Sequence, residues 1–381
     1  MQAADVIRSQ ITNDGLGELT GLTSLSYLGV RASQITDEGL NEYLPEMKVL
    51  SNLDLSYLDI SDEALNGLSA LSQLTKLNLE HTGISADGVV SLTETHWQNL
   101  KRLNVANTAI NNNTLAKFPD IFQPIYLNVK DTAVTDAGIA YCADLRELEY
   151  LVLSKCDVSD DGVRTLEYLD KLKRLNLRST KVTDDCLVWL SSTNLERLEL
   201  RNTNVTDAGM PTIADFSKLR SLDLTMTAVS NRGIRFFQEA SHLDALYLER
   251  SKVTGDGLHA LKALPNLRAL SVSPKDPSGD AMNSLLQLQA LQHLAIFDNT
   301  PVTGLLPRLR LLKSLLLVEP DETIVKDLKV LQNLRWLLIL TEQPNVKLLN
   351  IYRDALPSCS IRFYVDGNTA RRDFRSLAEH F

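Results

Sequence analysis

The phrase NTNVTDAGM at residues 202–210 returns in altered form four more times. It appears as ASQITDEGL at 32–40, DTAVTDAGI at 131–139, STKVTDDCL at 179–187 and RSKVTGDGL at 250–258. A catalytic motif is normally used once, whereas a phrase recurring at a fixed interval builds architecture. Aligned on the apolar residues before each phrase, the chain reads L-x-x-L-x-L-x-x-T-x-V-T-D-x-G-L-x-x-L. Units open at Met1, Leu25, Leu50, Leu74, Leu100, Pro124, Leu148, Leu172, Leu195, Leu219, Leu243, Leu267, Leu291, Leu312 and Leu334. Their spacings run from 21 to 26 residues and most are 24. About fifteen units therefore fill the 381 residues, with a last apolar strand at Ser360–Tyr364.

Each position of the unit has a physical reading. L-x-L alternates with period two, which predicts a short strand that buries one face. The small polar site that follows holds Thr82, Thr108, Thr132, Thr180, Thr203 and Thr227, with Ser33, Cys156 and Ser251 as variants. A buried turn leaves backbone groups without partners, and a hydroxyl supplies them. Stacking the units turns this site into a ladder of threonines. Thr206-Asp207 then opens a helix, an N-cap hydroxyl followed by a carboxylate at the positive end of the helix dipole. Beyond it the apolar residues take helical spacing, as in Leu258, Leu261 and Leu264. The glycine of the phrase falls inside the helix, where it costs about 1 kcal/mol against alanine. Its replacements Ala64, Thr114, Cys186 and Ala281 are all small, so the site demands smallness because neighbouring helices approach closely there.

At these residues the chain resembles the leucine-rich repeat family. Its phrase is similar to the class ending in (V/I)TDxGL, found in the cysteine-containing repeats of ubiquitin-ligase receptors and in bacterial, planctomycete-type repeats. Threonine stands here where the receptors have cysteine, which favours the bacterial type. The resemblance covers essentially the whole chain. It implies an α/β horseshoe solenoid, a parallel concave sheet with short convex helices. It also implies protein recognition as the commonest role, and it transfers no catalytic residue. The expected organisation is a solenoid over 1–364 followed by a C-terminal tail or capping helix over 365–381.

Composition limits the alternatives. Hydrophobic residues make up 44% and charged residues 23%, which describes a folded chain, and the formal charge of −9 argues against a general nucleic-acid footprint. Cys142, Cys156, Cys186 and Cys359 form no metal-type spacing and no disulfide framework, which fits a reducing compartment. No run of eighteen apolar residues is present, and the N-terminus lacks a basic-then-apolar secretory pattern. These features leave the compartment open while favouring the cytoplasm, and no membrane span is expected.

No nucleotide-binding, zinc-protease or serine-hydrolase motif occurs, so neither catalytic residues nor a cofactor is expected. His81, His96, His242, His259, His293 and His380 fall at different repeat positions and do not converge as metal ligands must. Asp37, Asp62, Asp87, Asp136, Asp160, Asp184 and Asp207 sit at or beside helix starts and read as dipole and capping residues. Asn78, Asn104, Asn128 and Asn176 share one column with Asp54 beside them. A calcium-binding row is one reading, and a polar position habitual in this repeat is the plainer one. Cys186 reads as a small packing residue and Cys156 as a substitute in the threonine ladder.

The x residues of L-x-x-L-x-L-x-x, pointing into the concave sheet, carry the functional information. In the middle repeats these positions are basic, with Lys155, Lys173, Arg174, Arg178, Arg197, Arg201 and Arg220. Tyr126 and Tyr150 lie just before them, while Glu196, Glu199 and Asp223 are interleaved. Either this is a solvated face with cross-strand ion pairs of at most about 1 kcal/mol, or it meets an acidic protein, since tyrosine and arginine are enriched at hot spots. The acids among the bases disfavour nucleic acid. In the last repeats the corresponding positions turn apolar: Phe297, Leu316, Val318, Trp336, Leu338 and Leu340. SLLLV and RWLLIL lose alternation and require cover on both faces. A partner protein, a second copy or the tail would supply it. The tail sequence DGNTARRDFRSLAEHF places Phe374, Leu377 and Phe381 on one side of a helix.

Met1, Ala4 and Val6 fit a first strand in register with the next repeat. Solenoid ends need polar caps, which predicts either a longer parent protein or end-to-end stacking through this edge. The resulting expectation is a non-catalytic scaffold that binds a protein through its concave face. The alternative is a recognition or effector arm of a larger protein whose catalytic domain lies elsewhere. A glycan-binding role would rest on Tyr126, Tyr150 and Trp336 as stacking platforms.

Overall fold

The structure is a computed structural model that describes residues 3–5, 10–93, 99–240, 242–273, 283–298, 302, 304–344 and 346–379. Met1, Val6, His96, Ala281, His380 and Phe381 lie outside the described residues. The chain divides into two compact units, Met1–Leu195 and Glu196–Phe381.

The first unit carries eight parallel strands: β1 (Ala3–Asp5), β2 (Tyr27–Gly29), β3 (Asn52–Asp54), β4 (Lys76–Asn78), β5 (Arg102–Asn104), β6 (Tyr126–Asn128), β7 (Tyr150–Val152) and β8 (Arg174–Asn176). Consecutive strands pair without offset, so Leu28, Leu53, Leu77, Leu103, Leu127, Leu151 and Leu175 form one row. Every leucine in that row is at most 2% exposed. The second unit carries β9 (Arg197–Glu199), β10 (Ser221–Asp223), β11 (Ala245–Tyr247), β12 (Ala269–Val272), β13 (His293–Ile296), β14 (Ser314–Val318), β15 (Trp336–Leu340) and β16 (Ser360–Tyr364). These strands are also parallel and in chain order, with Leu198, Leu222, Leu246, Leu270, Leu294, Leu315 and Leu337 in one row. Strands lengthen from three residues to four at β12 and β13 and to five from β14 onward, where the sequence loses its alternation.

The column between the strand leucines is structural. The Oδ1 atoms of Asp54, Asn78, Asn104, Asn128, Asn176 and Asp223 each accept the backbone N–H two residues on, at 2.9–3.1 Å. That bond shapes the turn leaving each strand. Among the described residues no group of three His, Cys, Asp or Glu side chains is arranged to hold a metal ion. The turn itself places Tyr57, His81, Asn107, Asp131 and Lys155 in the left-handed region at φ of 54–62°. Next in each coil comes the threonine ladder. Thr82, Thr132, Thr180, Thr203 and Thr227 donate to the carbonyl three residues back at 2.6–2.8 Å. Cys156 departs from this by donating to Val129 O of the preceding coil at 3.0 Å.

The helix-start carboxylates, read from the sequence as dipole and capping residues, bond to the coil after their own. Asp37, Asp62, Asp136, Asp160 and Asp207 each reach the next coil, where they accept the backbone N–H and the hydroxyl of Ser61, Ser85, Ser159, Thr183 and Ser230. Asn13, Asn112 and Asn231 make the equivalent clamp on Thr36, Thr135 and Thr254, with the amide donating to the hydroxyl. The clamp also explains the glycine. A Cβ on Gly88, Gly138, Gly162, Gly233 or Gly257 would stand 2.0–2.5 Å from the Oδ1 of the clamping residue one coil earlier. The close approach expected from the sequence is thus an oxygen atom of a side chain.

Candidate functional site

In the first unit, in-register stacking places Arg102, Tyr126, Tyr150 and Arg174 side by side at the start of four neighbouring strands. The two tyrosine rings meet edge to face, with centroids 5.0 Å apart and planes at 87°. The Arg102 guanidinium lies 4.4 Å from the Tyr126 centroid, and that of Arg174 lies 5.8 Å from Tyr150. A positive charge therefore flanks each end of an aromatic pair, where the ring quadrupole attracts it. Both arginines are exposed and both tyrosines half-buried. Burial raises the Tyr126 hydroxyl's pKa, opposed by Arg102 and by a hydrogen bond with Asn128. Beside this row lies a recess of about 340 Å³ whose lining includes Tyr27, Asn52, Lys76, Arg102 and Tyr126.

The other basic residues of this unit take separate positions. Lys173 stands one residue before β8 and pairs with Glu149 at 3.1 Å, and Lys155 pairs with Asp131 at 2.9 Å. These are exposed pairs across adjacent coils, each worth about 1 kcal/mol at most. Arg178 is half-buried just beyond Asn176.

In the second unit the equivalent face is occupied by the helix Gly367–Glu379. Phe374 and Ala370, both 0% exposed, pack with Tyr247, Ala295, Leu316 and Leu338, with Phe297, Tyr364 and Leu377 against them. The tail supplies the cover that the apolar strands required. Leu316 and Leu338 are its floor, and Phe297 also lies under the Arg371 guanidinium at 4.4 Å. Trp336, Val318 and Leu340 are half-buried, with the Arg362 guanidinium 4.6 Å from the Trp336 centroid.

Charge fixes the helix at its polar side. Arg375 pairs with Asp223, donates to Thr225 Oγ1 at 3.0 Å and lies 3.5 Å from Glu249. Arg371 stands 3.8 Å from Glu249, and the Arg375 guanidinium lies 4.4 Å from the Tyr247 centroid. Burial drives the Asp223 carboxyl upward, but Arg375 and the Thr225 hydrogen bonds hold it below the usual carboxylate range. Asp373 accepts from Tyr364 Oη at 2.5 Å and from Arg362 at 3.1 Å. Arg201, which the sequence placed among partner contacts, is 6% exposed and donates to Asn368 of this helix at 3.2 Å. Arg197 and Arg220 line a recess of about 220 Å³ with Arg268, His293 and Ala378. His293 is 2% exposed and shares a hydrogen bond with Ser314 Oγ at 2.7 Å. Burial and the nearby Lys313 charge push its pKa down to about 4.

Comparison with known proteins agrees with this architecture. The family model described as Leucine Rich repeat matches residues 70–92, 145–166 and 191–214. A leucine-rich repeat protein of Leptospira interrogans superposes with a TM-score of 0.52 at 20% identity, over 93% of this chain and 82% of that one. The chain has the leucine-rich repeat fold. An internalin from Listeria monocytogenes is also similar to it, at 20% identity and a TM-score of 0.44, over 96% of this chain and 87% of that one. The leucine-rich repeat ectodomain of an Arabidopsis thaliana membrane receptor kinase matches over 95% of this chain and 44% of its own length, at 16% identity and a TM-score of 0.48. No curated protein matches the sequence. Among the described residues of this leucine-rich repeat chain, no helix is long and apolar enough to cross a membrane.

Proposed function

We propose that this leucine-rich repeat chain is a non-catalytic scaffold that binds an acidic protein through the sheet face of its first unit. The row Arg102–Tyr126–Tyr150–Arg174 is the anchor. The observation that carries this reading is the edge-to-face tyrosine pair flanked by two exposed guanidinium groups. Rigid aromatics lose little entropy on binding, and arginine pairs with carboxylates through two parallel hydrogen bonds. Lys76 stands next to Arg102 in the same row, and the recess beside Tyr126 gives a partner side chain a place to enter. The Asp and Asn side chains of the neighbouring column are engaged with their own backbone, which leaves the tyrosines and arginines as the recognition groups.

The test is capture from source lysate with wild type, Tyr126→Ala/Tyr150→Ala and Arg102→Glu/Arg174→Glu, each checked for folding by circular dichroism. One partner retained by wild type, lost by both variants and released by salt fits this role. Equal recovery by all three chains would reject the face.

A further inference from the structure

The second unit's face differs because a site is built there and something already sits in it. We propose that the face of β10–β15 is a receptor for an arginine-bearing amphipathic helix, with the chain's own C-terminal helix as its resident, displaceable ligand.

The complementarity is chemical. The face contributes two carboxylates, Asp223 at 2% and Glu249 at 0% exposure, beside the buried hydroxyl of Thr225. The helix contributes Arg371 and Arg375, four residues apart and so on one side, with Phe374 between them. Each guanidinium lies over an aromatic ring of the face, Arg375 over Tyr247 and Arg371 over Phe297. The floor is apolar, with Ala295, Leu316 and Leu338 all at 0% exposure. A departing helix would bare both the carboxylates and this floor. The replacement must therefore neutralise acids and cover an apolar strip together, which an arginine-bearing amphipathic helix does and a small polar ligand does not.

The docking is also incomplete in a way that suits exchange. Glu249 Oε1 and Arg371 Nε face each other at 3.8 Å, beyond hydrogen-bond length, and Arg375 Nε is buried without a hydrogen-bond partner. A buried charge short of partners keeps much of its desolvation cost, so the ion pairs hold the helix less firmly than their number suggests. The helix joins β16 through only residues 365 and 366, and the Val365 side of that link is exposed.

The experiment uses the full chain with a fluorescein-labelled peptide of residues 365–381. Wild type should show protected amides over 367–379 and weak peptide binding. Arg371→Glu/Arg375→Glu in the chain should release those amides and bind the peptide at least tenfold more tightly. Adding Asp223→Asn and Glu249→Gln should abolish that gain, as should placing the two Glu substitutions in the peptide. Asparagine at 223 keeps the turn, since Asn78 and Asn104 make the same backbone bond in their own coils. If the charge-reversed chain does not fold, Phe374→Ala serves to loosen the tail with the charges intact. A helix that stays protected in both variants would overturn the proposal, as would a released tail with no gain in peptide affinity.

Discussion

The carboxylate of Asp207 accepts both the backbone N–H of Ser230, at 2.7 Å, and its hydroxyl, at 2.6 Å, one full coil away. It also accepts the N–H of Gly233 at 3.1 Å. One side chain thus closes three donors of the next coil, and the donor groups are left unpaired if it is removed. Asp207→Ala is expected to lower stability by about 2 kcal/mol, within the range for orphaning buried donors. Asp207→Asn should cost clearly less, because Asn231 makes the same clamp on Thr254. Urea denaturation of both variants measures the difference, and equal losses would refute the clamp.

Glycine-to-alanine changes inside these helices should reverse their usual sign. In a free helix the change gains about 1 kcal/mol. At Gly162 the new Cβ would meet Asp136 Oδ1 at 2.3 Å, so Gly162→Ala should cost about 1–3 kcal/mol through overpacking and displacement of the clamp. Gly21, in the turn after the helix Asn13–Leu19, has nothing within 4 Å of an added Cβ and serves as a steric control. Thermal melts in which both variants behave alike would remove the steric account.

Acid sensitivity should trace in part to His293. Its folded-state pKa is pushed from 6.5 to about 4 by burial and by Lys313. Between these values the unfolded chain binds the proton and the folded chain does not, so stability falls as pH drops through the window. The full loss is about 3 kcal/mol at 1.36 kcal/mol per pH unit. His293→Gln keeps a partner for Ser314 and should flatten the stability profile between pH 6.5 and 4. An unchanged slope would show that other groups set it.

The thiols should be silent in the native protein. Burial pushes Cys142 up to about 12 and Cys359 up to about 11, and raises Cys186 and Cys156 as well. Since the thiolate is the reactive form, a disulfide reagent should modify at most Cys359, slowly, before denaturant exposes all four. Rapid reaction at Cys142, Cys156 or Cys186 would contradict the packing.

Much of this was legible from the repeat. The L-x-L strands, the threonine ladder and the close approach at the glycine all follow from a period of about 24 residues and the residue types at each step. The clamp was partly legible. The sequence reading assigned Asp37, Asp62, Asp136, Asp160 and Asp207 to the helix dipole, a local explanation, yet each is followed 23 or 24 residues later by Ser or Thr. That pairing was the signal for a bond between coils. The tail's seat was less legible, because Arg375 and Asp223 are 152 residues apart and no periodicity links them. The apolar side of the tail makes it one of three candidate covers for Leu316 and Leu338. The arginines that anchor it, and the diversion of Arg201 to Asn368, emerge only when the helix is placed over the face.

The central claim, recognition through the first unit's face, is tested most directly by covalent footprinting of tyrosines in the intact 381-residue chain with and without the captured partner. Binding at this face predicts that Tyr126 and Tyr150 lose reactivity in the complex while Tyr247, under the C-terminal helix, is unchanged. Loss of reactivity confined to tyrosines elsewhere, with Tyr126 and Tyr150 labelled as in the free protein, would contradict it.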